Sequence, residues 1–286
     1  MKLKKERGVN VQETKRNVMN EEDLQRIKEL RLMDDDFFSE ALDGKVEAVE
    51  YILNTILERA DIKVKSTKAQ VEYKSATKRS ITLDIQAEDA DGKLVDIEIQ
   101  RSDKGAGVRR ARYHSSMIDR TLLSKGEEFE DLVDTYVIFI TENDKYGKGI
   151  PLYHVERKIT ELNDELFGDG AHILYVNGEY RNMEHPVGSL MHDFNCKDAK
   201  DMVNPLLAEE VRYLKETEGG QKQMCRLLEE MREEAAAEAR AEGKAEGKVS
   251  DAIKMLVKGY SIEEIMEITD LPLEEVQELA QGLKQR

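Results

Sequence analysis

The sequence predicts a mixed α/β domain, a central sheet flanked by helices, followed by an all-helical C-terminal region. Three observations carry that prediction. Apolar residues recur at helical spacing, then at period two, then at helical spacing again, and end in short runs rich in Tyr, Val, Ile and Phe. From Pro205 onward the chain turns to Glu, Ala, Lys and Leu. With 286 residues, the chain is long enough to bury a core without disulfide or metal staples.

Residues 1–30 form a polar, basic arm leading into a helix, and residues 1–16 hold six basic and two acidic side chains, from Lys2 to Arg16. Val46, Val49, Leu53, Ile56 and Leu57 then set a helix over about 44–59. Ser80–Glu88 and Lys93–Arg101 alternate as two strands around the turn Asp89-Ala90-Asp91-Gly92. Ser102–Ser124 returns to helical spacing, with Val108, Ala111, Ser115, Ile118 and Leu122 on one stripe. Leu132–Thr141 suits a buried strand, and Ala171–Val176 a further one closed by Asn177-Gly178. The sheet domain is thus expected over 31–200 and the helical region over 201–286.

That helical region repeats a tetrad, Ala241-Glu242-Gly243-Lys244 and Ala245-Glu246-Gly247-Lys248. Its last two helices, Ile262–Ile268 and Leu273–Leu283, resemble a small helix-turn-helix. Ser261 and Glu264 form a capping box before the first, and Leu273, Val276 and Leu279 make the apolar stripe of the second. A helix that reads a DNA groove should present Arg, Lys, Asn or Gln, whereas this one offers Glu274, Glu275, Glu278 and Gln277. Residues 221–286 hold ten basic against fifteen acidic residues, so partner docking or a homo-oligomer is expected of them rather than groove insertion.

Charge narrows the function classes. Lys and Arg total 44 against 60 Asp and Glu, a formal charge of −16, which excludes a uniformly basic nucleic-acid coat but not a local basic face. Apolar runs such as Tyr136–Ile140 are too short to cross a bilayer, and Met1–Arg16 is too polar for a signal peptide. Cys196 and Cys225 make no disulfide framework. A cytoplasmic protein that does not engage membranes is expected. His114, His154, His172, His185 and His192 lack metal-ligand spacing and are expected as surface or hydrogen-bonded core residues.

The strongest chemical signal is the hairpin at 80–101. A three-residue loop Ala90-Asp91-Gly92, with Gly92 left-handed, makes Asp89 face Lys93 and pairs Leu83 with Ile99, Ile85 with Ile97, and Ala87 with Val95. A two-residue loop would mix apolar and charged residues on both faces. The register kept by the apolar pattern brings Asp84 opposite Glu98, with Gln100 beside Glu98 on the same face. Like charges directly opposite are destabilising by roughly 0.2–1 kcal/mol, and a divalent cation between them reverses that sign. The same pattern also fits a solvated face carrying Asp84, Gln86, Asp96, Glu98 and Gln100.

The helix that follows is basic. Between Glu98 and Arg120 there are six basic and three acidic residues, a local +3 in a chain of −16. Arg109, Arg112, Tyr113, Ser116 and Arg120 fall within one arc of about 100°. Such a face can hold a phosphate backbone, or be a solvated surface paired with local acids. Paired carboxylates and a basic helix together suggest metal-dependent phosphodiester hydrolysis.

At Leu32–Phe38 (LMDDDFF), Lys78–Asp84 (KRSITLD), Asp96–Gln100 (DIEIQ) and Arg110–His114 (RARYH), the chain resembles the PD-(D/E)XK nuclease superfamily. The likeness is closest to its transposase-associated branch of recombination-promoting nucleases. Val137–Thr141, His172–Gly178 and His192–Cys196 extend it, over about residues 32–230. The resemblance implies a restriction-endonuclease-like core, a Mg²⁺ or Mn²⁺ cofactor and a DNA substrate. It implies Asp84 and Glu98 as metal ligands and catalytic residues. Gln100 stands where the superfamily usually has Lys and would position the water. Arg109, Arg110, Arg112 and Tyr113 would hold DNA, and Glu50 or Glu47 is the candidate for an added acid from the first helix. The rival expectation is a non-catalytic scaffold that keeps the fold and binds DNA or protein through its tail, favoured by the acidic charge and by Gln100.

Overall fold

The computed structural model describes residues 20–73, 81–100 and 105–284. Asn20 caps α1 (Glu21–Glu29) by accepting from the Glu22 amide, and the acidic first turn and basic last turn suit the helix dipole. Helices α2 (Asp35–Leu42) and α3 (Val46–Ile56) follow. The predicted helix over 44–59 is cut short at Leu57, and Glu58 takes a positive φ of 51° that turns the chain away. Next comes β1 (Val64–Tyr73), which the sequence reading did not anticipate. Its residues are mostly exposed or half-buried on both faces, so it carries little apolar alternation, and backbone pairing to its neighbour defines it.

The hairpin β2 (Ile81–Asp89) and β3 (Leu94–Gln100) has the expected register near its turn, Ile85 pairing with Ile97 and Ala87 with Val95, but the expected pairs of Leu83 with Ile99 and Asp84 with Glu98 do not form, because the ladder ends at Ile85 and Ile97. The Asp89 amide donates to the Lys93 carbonyl at 3.0 Å. Gly92 sits at φ 83°, and Asp89 Oδ1 accepts the Asp91 and Lys93 amides. After α4 (Val108–Leu122), the strand β4 (Thr135–Thr141) runs parallel to β3. Next come β5 (Leu152–Val155), a small ribbon of β6 (Lys158–Ile159) and β7 (Glu165–Leu166), and β8 (Ala171–Asn177), parallel to β4. The six-stranded mixed sheet has the order β1-β2-β3-β4-β8-β5.

Strands β4 and β8 are apolar on both faces because both faces are covered. Val137, Phe139 and Tyr175 pack with Ala111, Met117 and Ile118 of α4, while Ile138, Ile140, Leu174 and Val176, which alternate with them, are equally buried. Helix α2 lies along β1, β2 and β3, and α5 (Pro186–Asn195) packs on α3. Val108 departs from its expected place on the α4 stripe: at the first position of the helix it is 60 % exposed, and Ala111 and Ile118 make the core contact. Helix α6 (Pro205–Glu216) belongs to the same body as the sheet. Its Lys215 ammonium, buried against the Phe37 ring, donates to the carbonyls of Lys28, Leu30 and Lys197.

The chain divides into two compact units, Met1–Gln223 and Met224–Arg286. Helix α7 (Glu218–Val257) leads into the second unit, where α8 (Ile262–Thr269) and α9 (Leu273–Lys284) close a small core of Ala252, Ile265, Leu271 and Val276. The capping box of Ser261 and Glu264 is present. Leu273, expected on the α9 stripe, is 46 % exposed, and Val276 and Leu279 make that contact instead. Among the described residues, no helix is long and apolar enough to cross a membrane.

Candidate active site

The β2–β3 ladder stops at Ile85 and Ile97, and side chains take over where the backbones part. Asp84 Oδ2 accepts the Ile99 amide at 2.9 Å, and Glu98 Oε1 accepts the Asp84 amide at 3.2 Å. Each carboxylate thus replaces a backbone carbonyl of the facing strand, which fixes the two acids opposite one another. From behind, the Ser39 hydroxyl of α2 donates to the Asp84 carbonyl at 3.3 Å and accepts from Gln70 of β1 at 2.9 Å.

The face carrying these acids is not solvated. Helix α4 covers it, and Asp96 and Glu98 are both fully buried. Arg110 reaches Glu98 Oε2 through Nη2 at 2.9 Å and donates from Nε to His114 Nε2 at 3.2 Å, one helical turn along. Because Nε2 accepts, the imidazole proton belongs on Nδ1, which lies 3.1 Å from Asp96 Oδ2. The result is a continuous line of hydrogen bonds from Asp96 through His114 and Arg110 to Glu98. Asp96 Oδ1 is buried with no hydrogen-bond partner.

Burying three carboxyls against one guanidinium shifts them all. Burial, then the facing Glu98, pushes Asp84 up to about 8, and burial, then Asp96, pushes Glu98 up to about 8. Asp96 is driven well above the ordinary carboxylate range by burial and by Asp84. Arg110 opposes the shift in all three, but one positive charge does not balance three negative ones.

The other predicted residues are placed less uniformly. Gln100 lies two residues beyond Glu98 and is half-buried, its amide donating to the Ile99 carbonyl at 2.9 Å. Arg109 and Arg112 are exposed on α4, whereas Tyr113 packs partly into the core and Arg110 turns inward to Glu98. Glu47 is exposed, and Glu50 is bound to Lys63 Nζ at 2.7 Å and to the Val64 amide at 3.1 Å. The helix acid whose charge acts on Asp84 is instead Asp35, at the start of α2. Arg101, Lys104, the 1–16 arm and part of Lys78–Asp84 lie outside the described residues. Asp96 and His114 were not singled out from sequence as site residues. Their signals were the segments Asp96–Gln100 and Arg110–His114 that carry the family resemblance, and the four-residue spacing of Arg110 and His114 on one helix.

A second group, His192, Asp193 and Cys196, also brings potential ligands together. There both Asp193 oxygens are occupied by the Val203 and Asn204 amides, at 2.7 and 2.8 Å, as a turn cap. Among the described residues, Asp96, Glu98 and His114 form the other such group, with Asp84 facing Glu98 beside it.

The model of the PD-(D/E)XK nuclease family transposases matches residues 37–248. The chain belongs to this family. No curated protein and no solved structure matches it. In a PD-(D/E)XK nuclease family transposase, the mixed sheet with flanking helices is the nuclease fold.

Proposed function

We propose that the protein is a divalent-metal-dependent DNA endonuclease that hydrolyses phosphodiester bonds in recombination or at a mobile element, acting in the cytoplasm. The observation that carries this reading is the meeting of Asp84 and Glu98 at the parted end of the β2–β3 ladder, in a pocket with a surplus of buried carboxyls. The donor set fits Mg²⁺ or Mn²⁺: hard carboxylate oxygens, one of them (Asp96 Oδ1) buried without a partner, and too little local positive charge. Asp84 and Glu98 would hold the ion. When bound, it would polarise the phosphoryl group and acidify the attacking water.

The chain's own residues supply the rest. Backbone amides of Ile99 and Asp84 fix the two carboxylates, so their oxygens are preorganised without reliance on side-chain packing. Arg110, held by His114, orients Glu98. Gln100 can hydrogen-bond a water but brings no charge, so charge stabilisation falls to the ion and to Arg110. Arg109 and Arg112 face outward from α4 to meet the phosphate backbone.

A scaffold that only retains the fold has no use for the ion, which separates the two readings. Mn²⁺ should raise the melting temperature of the wild type and leave Asp84→Asn and Glu98→Gln unmoved. Equal shifts in all three, or none in the wild type, would contradict the metal site.

A further inference from the structure

The row of side chains that starts at the carboxylates continues across the sheet. Asp84 faces Glu98, Glu98 stands beside Phe139, Phe139 beside Tyr175, and Tyr175 beside Tyr153. The rings form a stack: Phe139 and Tyr175 lie parallel with centroids 5.6 Å apart. Tyr146 closes edge-on over Tyr175 at 5.8 Å and over Tyr153 at 4.8 Å. Phe139 and Tyr175 are buried, and Tyr146, 42 % exposed, is the outward end of the row.

Tyr146 sits on the segment after β4, at the carboxyl ends of the parallel strands, where open α/β sheets bind their ligands. Its loop is tied to the site, because the Glu142 amide donates to the Gln100 carbonyl at 3.0 Å. With strands about 4.8 Å apart, Tyr153 lies only about 14 Å across the sheet from Glu98, a few nucleotides of extended strand.

The loop is preorganised. Asp144 accepts from the Tyr146 amide at 3.1 Å, the Gly149 amide at 2.7 Å and the Tyr153 hydroxyl at 2.6 Å. An exposed ring held this way loses little entropy when something stacks on it. Tyr146, Tyr153 and the exposed Lys148 line one open groove of about 600 Å³. Beneath the ring, the fully buried Tyr175 supports Tyr146 from the sheet side.

We propose that Tyr146 is a stacking platform for an unpaired nucleobase of the DNA strand whose backbone lies at Asp84 and Glu98, with Lys148 meeting a neighbouring phosphate. An aromatic face accepts any unpaired base, while a duplex keeps its bases stacked on one another. The inference rests on the nuclease reading and adds a substrate class to it: DNA with a single-stranded segment beside the cut.

Fluorescence anisotropy in Ca²⁺, with a labelled single-stranded oligonucleotide and its blunt duplex, tests it. Tyr146→Ala should weaken single-strand binding about tenfold more than duplex binding, and Tyr146→Phe should restore it, since the ring and not the hydroxyl does the stacking. Equal losses on both probes, no loss on either, or failure of Tyr146→Phe to restore binding would overturn the platform while leaving the nuclease reading intact. A wild type that binds neither probe would overturn both.

Discussion

Asp96 and Glu98 are buried and Asp84 half-buried beside the single guanidinium of Arg110, and that crowding should be measurable as a stability deficit. Asp84→Asn removes one of the like charges while keeping the shape, so without metal and above about pH 8, where the acids ionise, it should raise stability by about 1 kcal/mol in thermal unfolding, even as it abolishes ion binding. His114→Ala acts in the opposite sense. It strips Asp96 of its imidazole partner and Arg110 of its rest, and should destabilise the fold by about 2–3 kcal/mol in urea titration. The nearness of Asp84 and Glu98 was legible in the sequence, because the apolar pattern sets the register from Glu88 and Leu94 up to Ile85 and Ile97; that the ladder then parts, and that side chains bridge the gap, was not. Asp96 and His114 were not legible. Whether the polar face of a hairpin is wet or covered depends on where a distant helix lands, and alternation is the same in both cases.

Elements that depend on one residue give sharper tests. Gly92 holds a φ of 83° in the β2–β3 turn with open space around it, so Gly92→Ala should cost about 1 kcal/mol from backbone strain alone, without displacing neighbours. Lys215 of α6 joins the end of α1 to the segment after α5 through three carbonyls. Burial pushes its ammonium down to about 8 from 10.5. Between those values the unfolded chain binds the extra proton, so this group's contribution to stability should grow with pH from about 8 to 10.5 and be lost as pH falls through 8. Comparing wild type with Lys215→Met by chemical denaturation across that window should show the difference changing with pH, and a constant difference would contradict the burial of the charge. The strands with strong period-two or continuous apolar patterns, β2, β3, β4 and β8, were legible to within a few residues. β1 and β5 were not, since they are edge strands with largely exposed or half-buried side chains and owe their form to pairing.

The whole molecule carries −16, yet α4 presents Arg109 and Arg112 outward beside the buried acids. DNA would therefore be held by a local basic face within an acidic body, and binding should weaken steeply with salt. Replacing Arg109 and Arg112 together by Ala should reduce the slope of log affinity against log salt by up to about 2, as each phosphate contact contributes nearly one released ion. An unchanged slope would remove both residues from the interface. The central claim, that Asp84 and Glu98 form a metal-dependent hydrolytic centre, is met most directly by cleavage of supercoiled plasmid. Wild type and Asp84→Ala should be compared in Mg²⁺, Mn²⁺ and EDTA. Nicking by the wild type that needs the ion and vanishes in Asp84→Ala is the predicted result. Equal nicking by both proteins, or none by the wild type in either ion across a range of salt and pH, would contradict it.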